Sequence, residues 1–419
     1  MSLWIHNAWI PNQGQVNIII EENIIKAIGP DLAPLPDSHR LDAEHMVAVP
    51  GLINGHTHAA MTLLRGYGDD MPLMEWLETR IWPAEARLSE EDVYWGTKLA
   101  CLEMMRSGTV MFHDMYWNYH GIARAVEEMG IRAGVGAIMI DVAGPDQANT
   151  FKKLTQQLWE ETSQYSSRIR YELSPHAIYT VSTDSLRWLA DFSEKNDVPV
   201  HIHLSETFQE VSDCLKKYSV RPAHYLNDVG LLTPRTFLAH GVHLDDEELD
   251  LIAEKGATLV TNPVSNLKLA VGGIFPYSEA AKRNIPIALG TDGTASNNTL
   301  DLFQDLKTFA LIQKHADQDP TTLPAQDAWD IATGARAPLL GVTSTLAAGE
   351  VADLLLLRRD LLEITPEHDL VSNLVYAATG HVVDTMIVDG RVVMQNRHVP
   401  GEEEILHEAR QRAHKLAGG

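Results

Sequence analysis

His56, Thr57 and His58 close the run Val49-Pro50-Gly51-Leu52-Ile53-Asn54-Gly55-His56-Thr57-His58, in which apolar residues lead into two histidines one residue apart. Alternate residues of a strand project to the same side, so both imidazoles can aim at one point, which is how a metal ion is gripped. A bare His-x-His is more simply a solvated strand end, so the metal reading stands only if further ligands come from elsewhere in the chain.

Polar residues recur at the ends of other apolar runs. The stretch 198–203 ends in His203, 236–240 ends in His240, 286–291 runs into Asp292, and 169–173 runs into Ser174-Pro175-His176. A catalytic zinc site takes about three protein ligands and keeps a position for water. His56, His58, His203 and Asp292 would fill such a site, with water as the reactive ligand. His201 shares the strand face of His203 but lies one layer deeper, which makes it an interior residue behind the ligands. His243, beside Asp245 and Asp246, reads as a loop residue at a helix start, and His113-Asp114 as packed residues closing a strand.

These residues need a scaffold that brings many strand ends together. From Pro50 onward, eight strand-like runs, counting 109–114, 134–139 and 257–261, alternate with helical stretches. That alternation favours βαβ units and a parallel sheet. The fold class expected is α/β, a (β/α)8 barrel of the TIM type, which places its active site at the C-terminal ends of the strands. One helix is well marked: Ser89 with Asp92 resembles a capping box, and Gly108 is placed as the stop after 94–106. Residues 1–48 read instead as short strands broken by Asn, Gly and Pro, and short strands return after Gly349, with Asp389-Gly390 as a hairpin turn. The expected organisation is a barrel over 49–348 and a small β-sandwich built from both termini, 1–48 and 349–419, the latter ending in a C-terminal tail.

Composition excludes several classes of function. With 33 Lys+Arg against 57 Asp+Glu the net charge is −24, which repels a phosphate backbone, so nucleic acid is not an expected partner. Hydrophobic residues at 45% and charged residues at 21% suit a globular enzyme rather than a disordered chain. Only Cys101 and Cys214 occur, against a disulfide framework and in keeping with a reducing cytoplasm. The first residues lack a secretory pattern, and no apolar run reaches membrane-spanning length. A cytoplasmic homo-oligomer with no membrane partner is expected.

At His56-Thr57-His58, His203-Leu204-Ser205-Glu206, His240 and Thr291-Asp292 the chain resembles the amidohydrolase superfamily. The segments Gly55-His56-Thr57-His58-Ala59-Ala60-Met61-Thr62-Leu63-Leu64-Arg65-Gly66 and Trp82-Pro83-Ala84-Glu85 resemble its 5-methylthioadenosine/S-adenosylhomocysteine deaminase branch, over nearly the whole chain. One divalent ion is expected, because strand four, 168–176, holds no lysine of the kind that bridges two metals in dinuclear members. Zinc is the first choice, although iron and manganese suit histidine and carboxylate donors as well. A bound ion lowers the pKa of its water and so supplies a nucleophile. Asp292 would take that water's proton, Glu206 would protonate a ring nitrogen as general acid/base, and His240 would stabilise the attacking oxygen. The resemblance implies that Glu85 binds ribose hydroxyls and that His176 contacts substrate. The stretch 72–82 has a helical pattern whose Met and Trp side chains could roof the pocket or simply pack in a core.

The activity this implies is hydrolytic deamination of 5′-methylthioadenosine, S-adenosylhomocysteine or adenosine. Guanine or pterin deamination and s-triazine dechlorination can use the same machinery, and a non-catalytic metal-binding sensor barrel is the reading from another class. Glu206 and His240 argue against the sensor, since a structural zinc site needs neither and is closed. No arginine occurs between Arg132 and Arg168, where the family can clamp a substrate carboxylate, so methylthioadenosine is expected to be preferred over S-adenosylhomocysteine.

Overall fold

The computed structural model describes residues 2–142, 144–342 and 345–418; the side chain of Leu73 lies outside the description. The N-terminal segment forms β1 (Ser2–Ile10), β2 (Gly14–Glu21), β3 (Ile24–Gly29), β4 (His39–Asp42) and β5 (Met46–Pro50). The barrel strands follow as β6 (Leu52–Thr57), β7 (Thr109–Tyr116), β8 (Arg132–Met139), β9 (Ile169–Tyr171), β10 (Ser174–Pro175), β11 (Val200–Leu204), β12 (Thr236–His240), β13 (Thr258–Thr261) and β14 (Ile287–Leu289). After these come β15 (Leu354–Arg358), β16 (Val383–Val388) and β17 (Arg391–Met394).

All pairings from β6 to β10 and from β11 to β14 are parallel. The two arcs are joined on one side by the bridges Leu173–Val200 and Ala177–His203. On the other side the amides of Thr291 and Asp292 both donate to the His56 carbonyl. Strand four is thus β9 and β10 in succession, and the ring is a (β/α)8 barrel. Its helices include Glu90–Ser107, Tyr119–Met129, Pro145–Glu161, Thr183–Asn196, Phe208–Tyr218, Asp246–Lys255 and Leu302–Asp317. The first of these carries the expected capping box, Ser89 with Asp92, and stops at Gly108 in the left-handed region.

Both termini build the second sheet, in the order β17-β16-β15-β5-β1-β2-β3 with β4 on β1. It curls around its own apolar core of Leu3, Ile5, Ile18, Ile20, Leu354 and Leu356, and an Ile24–Val351 bridge brings its far edge back toward β15. Val49 and Pro50, read from sequence as barrel residues, pair instead with Leu355 and Leu354 of this sheet. The apolar run into His56 is therefore two strands, parted at Gly51, where a Cβ would lie 2.3 Å from Val110 Cγ1. The C-terminal tail is a helix, Glu402–Leu416, that packs Ala409 and Leu416 against Leu63 and sets Arg412 on Asp92 at 2.8 Å. Among the described residues no helix is long and apolar enough to cross a membrane.

Gly51→Ala is expected to lower the thermal unfolding midpoint by the equivalent of ~1–3 kcal/mol, the usual cost of overpacking. Adding Val110→Ala should recover part of that loss; an unchanged midpoint for Gly51→Ala would contradict this account of the strand break.

Candidate active site

The C-terminal ends of the strands bring the chemistry together because each sharp exit is held in place. Ser205, His240 and Asp292 all have positive φ, at 49°, 72° and 61°, a region that non-glycine residues rarely occupy and that clusters at functional sites. Surrounding hydrogen bonds maintain them. Gly241 N donates to Leu204 O, His243 N donates to Ser205 O, and the hydroxyls of Thr57 and Thr291 both donate to the Asp292 carbonyl.

Four imidazoles are tethered at Nδ1. His58 bonds the Met115 carbonyl at 2.7 Å, His203 the His176 carbonyl at 2.7 Å, His240 the Asn266 side-chain oxygen at 2.8 Å, and His56 meets His201 Nε2 at 2.9 Å. This leaves Nε2 of each as the nitrogen able to ligate. His56 Nε2 and His58 Nε2 lie 3.5 Å and 3.2 Å from Asp292 Oδ1, while Oδ2 of the same carboxylate is locked by the hydroxyls of Ser265 at 2.6 Å and Ser296 at 2.7 Å. Potential ligand atoms of His56, His58 and His203 lie within 4.8 Å of one another, and so do those of His56, His240 and Asp292.

The donor set fits a divalent cation. His56 Nε2 is buried with no hydrogen-bond partner, a desolvation cost of ~1–3 kcal/mol that coordination would remove. Burial lowers His56 and His176 to about 3 and holds His203 well below the usual imidazole range, which leaves these rings neutral, whereas against burial the neighbouring Asp292 raises His58 to about 9, so that an ion binding there would displace its proton. His240 stands near enough to His56 and Asp292 to act as a further ligand as well as a partner for substrate, since its Nε2 is 3.9 Å from Glu206 Oε2.

Glu206 is buried, and burial raises its carboxyl above the ordinary value, which favours a proton-carrying role. The turn that presents it rests on Glu210, whose two oxygens accept from the amides of Ser205 and Glu206 at 2.9 Å each. His58, Glu85, His176, His203, Glu206, His240 and Asp292 line one pocket, with His56 fully buried beneath them. Trp76, Leu77, Ile81 and Trp82 also line it, from the segment that runs as helix Leu73–Trp76, a π-helical turn Leu77–Ile81 and helix Trp82–Glu85. Met74, a candidate roof residue on sequence grounds, is 47% exposed and lies outside the lining. His113 takes no part; its Nδ1 bonds Glu172, and Asp114 accepts from the Ala59 amide.

Several contributors were not legible as site residues. Ser265 and Ser296 orient Asp292, Asn266 orients His240, Glu210 supports Glu206, and Tyr179 and Trp117 complete the walls. Only Glu210 carries a signal, as an acid in the first turn of a helix capped by Thr207. Beyond Glu85 the pocket continues into a cavity of about 730 Å³ that shares Trp82, Trp117, Ile138 and Ile140 with it and reaches Val142, Phe151 and Leu154. Its titratable lining includes Glu85, Glu90 and His120, the last bonded to Glu161 at 2.9 Å, and no lysine or arginine faces it among the described residues.

Residues 47–393 match the amidohydrolase family. The chain belongs to that family. It is 47% identical over 412 residues to the 5′-deoxyadenosine deaminase of Methanoregula boonei, covering 96% of this chain and 92% of that protein. It is 41% identical over 408 residues to the 5-methylthioadenosine/S-adenosylhomocysteine deaminase of Syntrophomonas wolfei, covering 96% and 94%. Among solved structures, a zinc-bound adenosine deaminase from Xanthomonas campestris superposes with a TM-score of 0.92 at 32% identity, covering 100% of this chain and 99% of that one. A triazine hydrolase superposes at 0.89 with 22% identity, over 98% of this chain and 99% of that one, a likeness of fold.

Glu210→Gln keeps one acceptor for the turn and loses the second. It is expected to lower kcat/KM by ~10-fold while metal per chain, measured by plasma mass spectrometry, stays at the wild-type value. Unchanged kinetics would show that Glu206 needs no such support.

Proposed function

We propose that the chain removes the 6-amino group of an adenine nucleoside by hydrolysis, with a small uncharged group at the 5′ position, as in 5′-methylthioadenosine or 5′-deoxyadenosine. The observation that carries this reading is the gathering of anchored imidazoles, Asp292 and Glu206 in one pocket that opens past Glu85 into a largely apolar annex. His56, His58, His203 and Asp292 would hold the ion; zinc is proposed, in keeping with the donor set and with the zinc-bound relative.

Bound at these residues, a divalent ion would supply a water made nucleophilic near neutral pH. Asp292, fixed by Ser265 and Ser296, takes the proton that the water gives up as its oxygen bonds to C6. Glu206 delivers a proton to N1, and His240 donates to the attacking oxygen as negative charge develops there. The C6–N bond then breaks as the proton taken up by Asp292 passes to the amino group, which leaves as ammonia, while the proton of the hydroxyl at C6 returns to Glu206 and the ring keeps oxygen at C6. Glu85, 3.4 Å from the Trp117 indole nitrogen at the junction with the annex, is placed to accept from ribose hydroxyls. His176, tethered to Thr180 at 2.9 Å and part of the same lining, is placed to contact the base or sugar.

Glu206→Gln is expected to reduce ammonia release by ~10²–10⁴-fold, the range for a lost general acid, with bound metal unchanged. Activity retained within a few-fold would discard the proton-transfer role. In a substrate panel, kcat/KM for 5′-methylthioadenosine and 5′-deoxyadenosine should exceed that for S-adenosylhomocysteine, because among the described residues no lysine or arginine lines the annex to pair with its carboxylate, and His120, which does line it, is engaged by Glu161. A higher value for S-adenosylhomocysteine would overturn the 5′ assignment, and silence on all adenosines would overturn the reaction.

A further inference from the structure

Behind the metal-facing imidazoles lies a second buried polar group, Glu172, His201 and His113, each with no exposed surface, together with Arg170. None of them lines the pocket. Their arrangement bears on a question the first ring of residues leaves open, namely which nitrogen of His56 carries hydrogen.

For His58 and His203 the answer follows from the partner. Each Nδ1 faces a backbone carbonyl oxygen, which can only accept, so Nδ1 carries a hydrogen and Nε2 is the nitrogen left for a metal. His56 differs, because its Nδ1 meets another imidazole nitrogen, His201 Nε2, at 2.9 Å. One hydrogen lies between these two atoms, and either ring can own it. If His201 owns it, a neutral His56 must carry its own hydrogen on Nε2, facing Asp292, and cannot ligate. If His56 owns it, Nε2 is free.

The far side of His201 decides between them. His201 Nδ1 is 3.9 Å from Glu172 Oε2, too far for a hydrogen bond but within reach of its charge, and neither atom has a hydrogen-bond partner among the described residues. The negative charge of this carboxylate favours the His201 hydrogen on Nδ1 and leaves Nε2 as an acceptor for His56, while the opposing pull of Asp292 Oδ1, 3.5 Å from His56 Nε2, is shared with His58 Nε2 at 3.2 Å. Glu172 is itself fixed as an ionised acceptor: its Oε1 receives Arg170 Nε at 3.2 Å, Arg170 Nη2 at 2.7 Å and His113 Nδ1 at 2.9 Å. Glycine at 134 keeps the space open, since a Cβ there would lie 2.2 Å from Glu172 Oε1 and 2.6 Å from His113 Nδ1.

We infer that His201 and Glu172 are positioning residues that hold His56 in the one neutral form able to bind a metal, through the ordered chain Glu172–His201–His56. The inference rests on His56 being a ligand, as proposed above. Outer partners of this kind are typically worth ~10–100-fold in metal affinity.

The test is made on metal-free full-length protein, with zinc affinity measured against a competing chelator and the histidine tautomers read by nitrogen-15 NMR after histidine-selective labelling. In the wild-type apoprotein His56 should appear as the Nδ1–H form. His201→Leu should weaken zinc binding by ~10–100-fold, and His201→Gln, whose amide oxygen can accept from His56, should restore most of it. Glu172→Gln serves if His201→Leu does not fold. With its amide oxygen toward Arg170 and His113, its amino group would donate to His201, reverse the chain, and turn His56 into the Nε2–H form with a matching loss of zinc affinity. Wild-type His56 found as Nε2–H, or unchanged zinc affinity in the folded variants, would overturn the inference. His56→Ala separates the two levels: if it still binds zinc as tightly as wild type, the ligand reading itself has failed.

Discussion

Several imidazoles can turn one nitrogen each toward a common buried point only if each is held from behind at the other. That constraint governs this barrel. The rings of His56, His58, His203 and His240 are backed at Nδ1 by partners from neighbouring strands and loops, and the cost of burying the unpartnered His56 Nε2 is one that a cation can reverse. The closure of the barrel, the sharp turns at its strand ends and the second layer of polar residues all serve that backing.

The division of labour follows from it. The proposed ligands lie on strands or just beyond them, His56 and His203 in β6 and β11, His58 and Asp292 past the ends of β6 and β14, where parallel strand ends converge and are rigid. Turns in rarely occupied backbone regions supply the direction, with Ser205 lifting Glu206 off the strand, and Asp292 turned so that Ser265 and Ser296 occupy one oxygen while the other faces the histidines. On the proposed reading, selectivity falls to the loops and to the segment around Trp76, Trp82 and Glu85, which line the pocket without contributing to the proposed ligand set.

Much of this was legible in the sequence, and the reasons are local. Strand ends such as Thr236–His240 announce themselves because apolar β-formers terminate in one polar residue, and the helix after Ser89 because its cap is written in adjacent residues. What stayed hidden depends on partners far apart in the chain. The break at Gly51 is invisible until β15 pairs with β5 and Val110 crowds the turn. Glu172 reads as one carboxylate in a short strand until Arg170, His113 and His201 enclose it. Ser265, Ser296 and Asn266 look like ordinary loop polars, since nothing in a serine or asparagine tells which carboxylate or imidazole it will face. The C-terminal helix was read as a tail because its apolar residues, Ile405, Ala409 and Leu416, are few and widely spaced among charges.

The central claim is that these anchored imidazoles and Asp292 form a mononuclear site, and X-ray absorption at the zinc edge of the loaded protein addresses it directly. The account predicts a first shell of nitrogen and oxygen at ~2.0–2.2 Å with the outer scattering pattern of several imidazoles. It predicts no second metal at ~3.5–4 Å. Sulfur at ~2.3 Å, a metal–metal vector, or a shell without imidazole scattering would contradict it.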